Sequence, residues 1–600
     1  MTHRSERSKR LTVEQLALDD GGSIRPLASQ IDDVCIVILP LNMQGRKSSD
    51  CRTIERIVGE VLPILGIEAT LIVVGEPFDL VQVHMRVADM INYQLWIAIK
   101  RPVDEHSTED TELPRHHFGA SVYTKYSGSL EHTKTRLRYT YCPSCGKTTK
   151  DYGGKKHTYD SYGTLISDVW RDICVELEGD LSPVIDRFAD LFGISKYRQI
   201  FVLDLRNSDY KNVFTEVSSK YVDQLPLFRA EEHTEQKGQL IQGDALRELR
   251  NLRDDSVDFV FADPPYNLHK KYNSYSDDLS ISEYFAWCDS WLDELVRILR
   301  PGRTCAILNI PLWSIRHFMS LEGIAQFQNW IAWDALSFPV RKIMPAHYAI
   351  LCFSKGMPRT LPGFNEPKER FLVKNSGAAF QPLDPLGEGF CLRAQCVRSR
   401  QSEGVVDRGP LTDLWFDVHR LKHNSRRVDH PCQLPPQLMY RLISIFTAPG
   451  ETVLDCFNGA GTTTLAAHQL GRQYFGIELS SKYHEIAATR HGEVSQGIDP
   501  FRRAKRKLTE KNSKVERLPE QTYKIPKKTL QLEIRRISQE LDRIPTRDEV
   551  IKYARFPIEY YDNYFVSWGE VCAAARHSGM TEERASTLDS ERDFVQMRFV

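Results

Sequence analysis

The sequence predicts an α/β protein of two consecutive sheet-and-helix halves, followed by a small helical unit. Three observations predict it. Short apolar runs rich in β-branched residues alternate with helical patterns from Asp32 to about Asn207, and again from Leu240 to about Glu493. These runs are continuous and β-rich, the mark of strands in a mostly parallel sheet covered on both faces. At 600 residues the chain is also too long for one ordinary core.

Taken in order, residues 1–30 are polar and read as a flexible arm, with no apolar stretch after the basic start to suggest a secretory signal. Residues 31–207 form the first half, with IDDVCIVILP (31–40) and ATLIVVG (69–75) as buried strands. Residues 208–238 are a polar connector. Residues 239–495 form the second half, with VDFVFADPPY, TCAILNI, WIAWDAL, YAILCFS, TVLDCF and QYFGIEL as strands. Residues 496–528 read as a basic linker and 529–600 as a small helical module. No apolar run is long enough to span a membrane. Thirteen irregularly spaced cysteines fit a reduced, cytoplasmic protein better than a disulfide scaffold. With a net charge of -1, any nucleic-acid surface must come from local clustering.

VLDCFNGAGTTTLAA (453–467) reads as strand, glycine turn and helix. Asp455 ends the strand, and Gly459 and Gly461 allow a tight turn and close approach of a ligand. The helix starting near Thr462 offers unsatisfied N–H groups. QYFGIELS then ends a second strand at Glu478, 23 residues after Asp455, the separation of a carboxylate that meets a ribose diol in a Rossmann-like nucleotide site. A plain strand–helix turn is the alternative.

SVDFVFADPPYNL (256–268) is a strand running into Asp263, Pro264, Pro265 and Tyr266. The prolines stiffen the backbone and offer carbonyls without N–H groups of their own. An amine on an aromatic base is a poor nucleophile because its lone pair is delocalised. The Asp263 carboxylate and the Pro264 carbonyl could each accept one of its N–H groups and draw the nitrogen toward tetrahedral geometry. Tyr266 offers a stacking face for a flipped-out base. A strand-ending turn with a buried tyrosine is the alternative.

DPPY followed later by FNGAG resembles the beta class of DNA amino-methyltransferases, over roughly Gln242 to Arg490. The resemblance implies a Rossmann-like, mainly parallel seven-stranded sheet with one reversed strand, and S-adenosylmethionine as cofactor. It implies that Asp244 and Ala245 border the cofactor adenine, that Asp455, Phe457, Gly459, Gly461 and Thr462 line its methionine and ribose region, and that Glu478 binds the ribose. HPCQLPPQLMYRLISIFT (430–447) resembles the family's helix at the methionine end. The aspartate of DPPY is typical of adenine-N6 enzymes, so the expected reaction is methylation of adenine N6 in DNA. Cytosine N4, an RNA substrate, or a non-enzymatic nucleic-acid-binding relic are the alternatives. Host modification or antiviral self-marking is the expected setting. No nuclease or helicase motif is evident, so a restriction or defence partner would be a separate chain.

The first half reads as a degenerate duplicate of the second. IDDVCIVILPLN aligns with SVDFVFADPPYN, which places Ile38 at Asp263, Pro40 at Pro265, Leu41 at Tyr266 and Asn42 at Asn267. YQLWIA (93–98) matches FQNWIA (327–332), and GTLISDVWRDI (163–173) matches GPLTDLWFDV (409–418). VLDLRN matches VLDCFN, but the glycine loop and the catalytic carboxylate are missing. Such a half would neither bind cofactor nor catalyse, an arrangement similar to the paired active and inactive halves of eukaryotic mRNA adenine methyltransferases. Chance likeness of generic α/β segments is the alternative.

Cys142 and Cys145 form a CPxCG knuckle, half of a zinc ribbon, and Cys391 and Cys396 occupy the corresponding place in the second half. One zinc held by all four is the expectation, with His157 a further candidate ligand and four reduced thiols the alternative. Lys147, Lys150, Lys155 and Lys156 beside the knuckle suit phosphate contacts or a solvated loop. The C-terminal module reads as a helix, a Pro-Thr-capped helix, an aromatic turn and a third helix. Its IPTRDE and FVSWGEVCAAA resemble the small DNA-binding repeat found beside homing endonucleases, and the basic linker before it suits a phosphate backbone or a tether.

Overall fold

Val34 to Ile38 are buried without exception, as are Thr70–Gly75 and Val257–Ala262, the burial expected of central strands in a sheet covered on both faces. The structure is a computed structural model. It describes residues 13–15, 31–40 (Asp32 excepted), 57–103, 111–125, 163–192, 200–206, 238–267, 279–335, 345–365, 408–418, 433–496, 527–541 and 543–565, with shorter stretches between. The chain divides into two units, Met1–Ala504 with Arg598–Val600, and Lys505–Met597. Among the described residues no helix is long and apolar enough to cross a membrane.

The first sheet holds β1 (Val13–Gln15), β2 (Val34–Ile38), β3 (Thr70–Gly75), β4 (Asn92–Lys100), β5 (His117–Thr124), β6 (Val169–Cys174) and β7 (Ile200–Asp204), in the order β1-β7-β2-β3-β5-β4-β6. Only β5 runs against its neighbours. Residues 13–15 depart from the flexible arm expected of 1–30: Val13 to Gln15 pair with Ile200 to Val202 and extend the sheet.

The second sheet holds β8 (Gln239–Gln242), β9 (Val257–Ala262), β10 (Leu299–Asn309), β11 (Gln326–Asp334), β12 (His347–Ser354), β13 (Leu414–Trp415), β14 (Thr452–Asp455) and β15 (Gln473–Glu478). Their order is β8-β15-β14-β9-β10-β12-β11-β13, and only β12 is reversed. All six strands expected from the sequence are present. The eighth strand beyond the expected seven is the two-residue β13, which pairs with Ala332 and Trp333 at the sheet edge.

Six strands share order and polarity in the two sheets, β7-β2-β3-β5-β4-β6 in the first and β14-β9-β10-β12-β11-β13 in the second, and most of their register. Val34 pairs with Thr70 as Phe259 pairs with Thr304, and Thr70 with Thr124 as Thr304 with Ser354. The register slips at the same place in each, between Tyr93 and Leu95 and between Phe327 and Asn329. Ala98 N–H donates to Asp168 O, and Ala332 N–H donates to Asp413 O. The VLD match departs from this pattern. Val202 pairs with Ile36, whereas Asp455 pairs with Phe261. By register Ile36 corresponds to Phe261, so Val202 stands at the level of Asp455 and Asp204 lies two residues further on.

The halves share a buried junction. Ala98, Val169, Ala332, Leu414 and Phe416 form one apolar cluster. Asp168 of the first half accepts the N–H groups of Ala346 and His347 at 2.7 and 2.9 Å, and Asp413 of the second accepts that of His116 at 2.8 Å. Arg171 donates to Asp334 and Asp384 at 2.9 and 2.6 Å, so these buried charges are paired.

The second unit holds helices at Lys527–Leu541, Arg547–Tyr553 and Ile558–Tyr564 around Leu530, Ile534, Ile537, Val550, Tyr561 and Phe565. Thr546 caps the middle helix through a capping box with Glu549. The stretch expected to be an aromatic turn is the helix Ile558–Tyr564, and its Tyr561 is buried in the core with Trp568 packed against it. Most of FVSWGEVCAAA lies outside the described residues.

Candidate active site

Strand β14 ends on Asp455, and helix α1 (Thr462–Gln469) begins six residues after Cys456. The turn between them needs two left-handed residues, Gly459 at φ 52° and Gly461 at φ 82°. The Gly459 N–H donates to Glu478 Oε2 at 2.8 Å, and the Ser480 N–H to Glu478 Oε1 at 2.8 Å. Glu478 at the end of β15 is thereby tied to the glycine turn. At Gly461 the close neighbour is protein: an added Cβ would lie 2.9 Å from Ala487 Cβ on helix α2 (Ser481–Ser495). This glycine lets two helices meet. Thr462 is buried at the start of α1.

Strand β9 lies beside β14 in parallel, Phe261 opposite Asp455, so the Asp263–Tyr266 loop leaves the sheet next to the glycine turn. This is the carboxyl edge of the sheet, where α/β folds bind ligands. Asp455 is 4% exposed. Burial first, then the Asp263 and Glu478 carboxylates, push its carboxyl up to about 7. Burial also raises Glu478, against the two N–H groups that hold it down. The carboxylates of Asp263 and Glu478 thus both act on the buried Asp455, an arrangement that a cation would relieve.

The loop backbone is pinned. Tyr284 Oη donates to Pro265 O at 2.8 Å, and Trp313 Nε1 donates to Tyr266 O at 2.8 Å. Tyr266 itself is buried, and its hydroxyl donates to Asp263 Oδ1 at 2.8 Å. Pro264 sits between these anchors, its carbonyl on the same loop. Asn267 is left-handed, φ 53°, and both its side-chain ends bond the backbone of Leu279. Asp244 caps the helix Ala245–Asn251 by accepting the Arg247 N–H at 3.0 Å, and the preceding Gly243 N–H donates to Glu478 O. Asp244 and Ala245 therefore flank Glu478 on the same edge. Phe457 packs edge-on against Trp291, with Trp287 alongside.

Sequence reasoning missed several neighbours. Tyr348 on β12 lies 6.4 Å from Tyr266, ring to ring, with the Arg420 guanidinium over its face. Trp287 and Trp291 read as ordinary apolar positions of a helix. The buried Asn458 holds Thr464 at 2.9 Å and fills the space where a Cβ on Gly476 would stand. Only its place inside the glycine turn could have marked it.

In the first half the corresponding edge is different. By register Ile38 stands level with Asp263, as the sequence alignment has it. Asp204, at the end of β7, is closed off by Arg206, whose Nε and Nη2 donate to it at 2.9 and 2.6 Å while Nη1 donates to Leu177 O and Gly179 O. Leu41, Asn42 and Asn207 lie outside the described residues.

The sulfurs of Cys142, Cys145, Cys391 and Cys396 come together, all within 4.8 Å of one another. Lys147 is exposed beside them. Lys150, Lys155, Lys156 and His157 lie outside the described residues.

The model of the DNA methylase family N6_N4_Mtase matches residues 257–489. The chain is 30% identical over 316 residues to the type II methyltransferase M.BamHI of Bacillus amyloliquefaciens, which covers 51% of this chain and 68% of that protein. It is 27% identical over 267 residues to the type II methyltransferase M.HpaI of Haemophilus parainfluenzae, covering 43% of this chain and 76% of that one. The solved Thermus thermophilus protein TTHA0409, complexed with S-adenosyl-L-methionine, is 22% identical, covers 44% of this chain and 98% of its own, and superposes with a TM-score of 0.30.

Proposed function

The chain belongs to the beta-class, N6/N4 family of DNA amino-methyltransferases, and on that premise we propose that it methylates N6 of adenine in DNA. The observation that supports this reading best is the convergence of Asp263, Asp455 and Glu478 at one sheet edge, with mutual repulsion at Asp455. The cofactor S-adenosylmethionine, when bound, supplies an electrophilic methyl on a sulfonium and carries an ammonium. Both cations fit an acidic edge of this kind. Glu478, already oriented by two N–H groups, is assigned to the ribose hydroxyls. Asp244 and Ala245 are assigned to the adenine side, and Asp455, Phe457, Gly459, Gly461 and Thr462 to the methionine side.

Asp263 and the carbonyl of Pro264 are assigned to the two N–H groups of the target amine. Tyr266 donates to one carboxylate oxygen at 2.8 Å and so fixes the direction of the other. Tyr284 and Trp313 hold the Pro265 and Tyr266 carbonyls, which keeps the loop from following the base as it moves. The amine loses its delocalisation as it pyramidalises, and its lone pair then points at the methyl. The aspartate at the head of DPPY favours adenine N6 over cytosine N4. The test is Asp263→Ala, which should abolish DNA methylation while S-adenosylmethionine still binds within a few fold. Full activity in that variant would remove the assignment.

The same reading makes residues 31–207 a degenerate copy and 239–495 the catalytic one. The shared register supports common descent, and Ile38 and the Arg206–Asp204 pair support the loss of both functions in the first copy. The linker 496–528 and the module 529–600 are proposed to add DNA contacts. In the module Arg536, Arg543 and Arg547 are paired with Glu540, Glu549 and Asp562. Exposed pairs of this kind are worth little and can exchange for phosphates. Deleting residues 501–600 should weaken DNA binding and flatten its salt dependence; an unchanged slope would contradict a DNA role.

A further inference from the structure

The four-cysteine cluster takes no part in methyl transfer and has no explanation as a core. Cys142, Cys391 and Cys396 are 6%, 2% and 5% exposed. Among the described residues their buried cluster contains these cysteines and Cys145 and no other apolar side chain. Thiols buried for hydrophobicity would be packed among aliphatic and aromatic neighbours, as Cys305 and Cys352 are between the strands of the second sheet. Here sulfur meets sulfur.

The local geometry is that of a ligand set. Tyr141–Cys142 and Lys147–Thr148 form a two-rung hairpin whose turn closes with the Gly146 N–H on Cys142 O at 2.9 Å. Gly146 is left-handed, φ 62°, which the CPxCG order supplies without strain. Main-chain N–H groups of Cys145 and Ser144 face the Cys142 sulfur, and that of Lys147 faces the Cys145 sulfur, as in a zinc knuckle. The other two sulfurs come from the start of helix Ala394–Ser402 and the residues before it, where Arg400 holds Cys391 O at 2.7 Å. Cys142 Sγ lies 4.0 Å from Cys396 Sγ, and Cys145 Sγ lies 3.8 Å from Cys391 Sγ. Zinc–sulfur bonds of about 2.3 Å put the sulfurs of a tetrahedron about 3.8 Å apart.

We propose that Cys142, Cys145, Cys391 and Cys396 bind one zinc ion as a closed structural site that clamps the two halves together. Each half contributes two thiolates, from the connection between β5 and β6 in the first and between β12 and β13 in the second. These connections are equivalent by the register of the sheets, so the ion bridges matching excursions of the two copies. Four thiolates leave no open position, and the ion would activate no water. An all-sulfur tetrahedron also suits iron, and elemental analysis separates the two.

The experiment is elemental analysis of the full chain purified without chelator. About one zinc per chain is expected. Cys142→Ser and Cys391→Ser should each lower it, and Cys174→Ser, an exposed cysteine outside the cluster, should leave it unchanged. Should the cluster variants fold poorly, cobalt exchanged into the wild-type chain should give the absorption of a tetrahedral tetrathiolate. Removing the metal should loosen the halves toward protease. A wild-type chain without metal, one carrying iron, or one whose four cysteines are oxidised to disulfides would overturn the proposal. The methyl-transfer reading stands or falls separately, on DNA methylation.

Discussion

The indole of Trp96 stacks face to face on that of Trp330, ring centroids 4.7 Å apart and planes 8° from parallel. The two residues occupy matching positions on β4 and β11, so each half presents the same side chain to the other. The pairs Ala98 with Ala332 and Val169 with Leu414 lie in the same cluster. This is the self-complementary interface of a two-fold dimer, realised within one chain. Removing a buried indole leaves a void that rigid neighbours cannot close. Trp96→Ala should therefore cost about 3–5 kcal/mol, read as a lower urea midpoint with both halves losing stability. An unchanged midpoint would contradict a shared core.

Asp455 sets a pH dependence of cofactor binding. Its folded value of about 7 lies above the ordinary carboxylate value. The folded chain therefore keeps a proton that the unfolded chain has lost, and this group's contribution to stability falls as pH rises from about 4 through 7. A cation bound beside it favours the ionised form and expels that proton. S-adenosylmethionine should then bind about tenfold more tightly at pH 8 than at pH 6, with proton release. Calorimetry in buffers of different ionisation enthalpy checks both. Affinity independent of pH would show that Asp455 does not meet a cation.

Binding stoichiometry tests the reading of the first half. One S-adenosylmethionine per chain is expected, because Val202 stands at the level of Asp455 and Ile38 at that of Asp263. Restoring the carboxylate alone, in Ile38→Asp, should not create a second methylating site. Two equivalent binding sites would contradict the loss.

The strands were legible in the sequence because central strands of a parallel sheet, buried on both faces, are largely apolar, as Val34 to Ile38 are throughout. The glycine turn after Asp455 was legible because glycine is the residue that takes a positive φ without strain, as at Gly459. The pairing of the cysteines was legible only as equal placement in two halves; that their sulfurs meet depends on the tertiary junction. Tyr348 was not legible, since an aromatic on a strand is normally core, and only the fold brings it beside Tyr266. The two-residue offset of VLDL against VLDC escaped because strand ends can slide in register while local sequence likeness persists. The helix Ile558–Tyr564 was missed because its aromatic residues, Tyr560 and Tyr561, read as a turn cluster.

The most direct test of the account is to digest DNA incubated with the protein and S-adenosylmethionine to nucleosides and weigh them by mass spectrometry. N6-methyldeoxyadenosine should appear with the wild type and be absent with Asp263→Ala. N4-methyldeoxycytidine in its place, or no methylated nucleoside from a protein that binds the cofactor, would contradict the assignment of adenine N6.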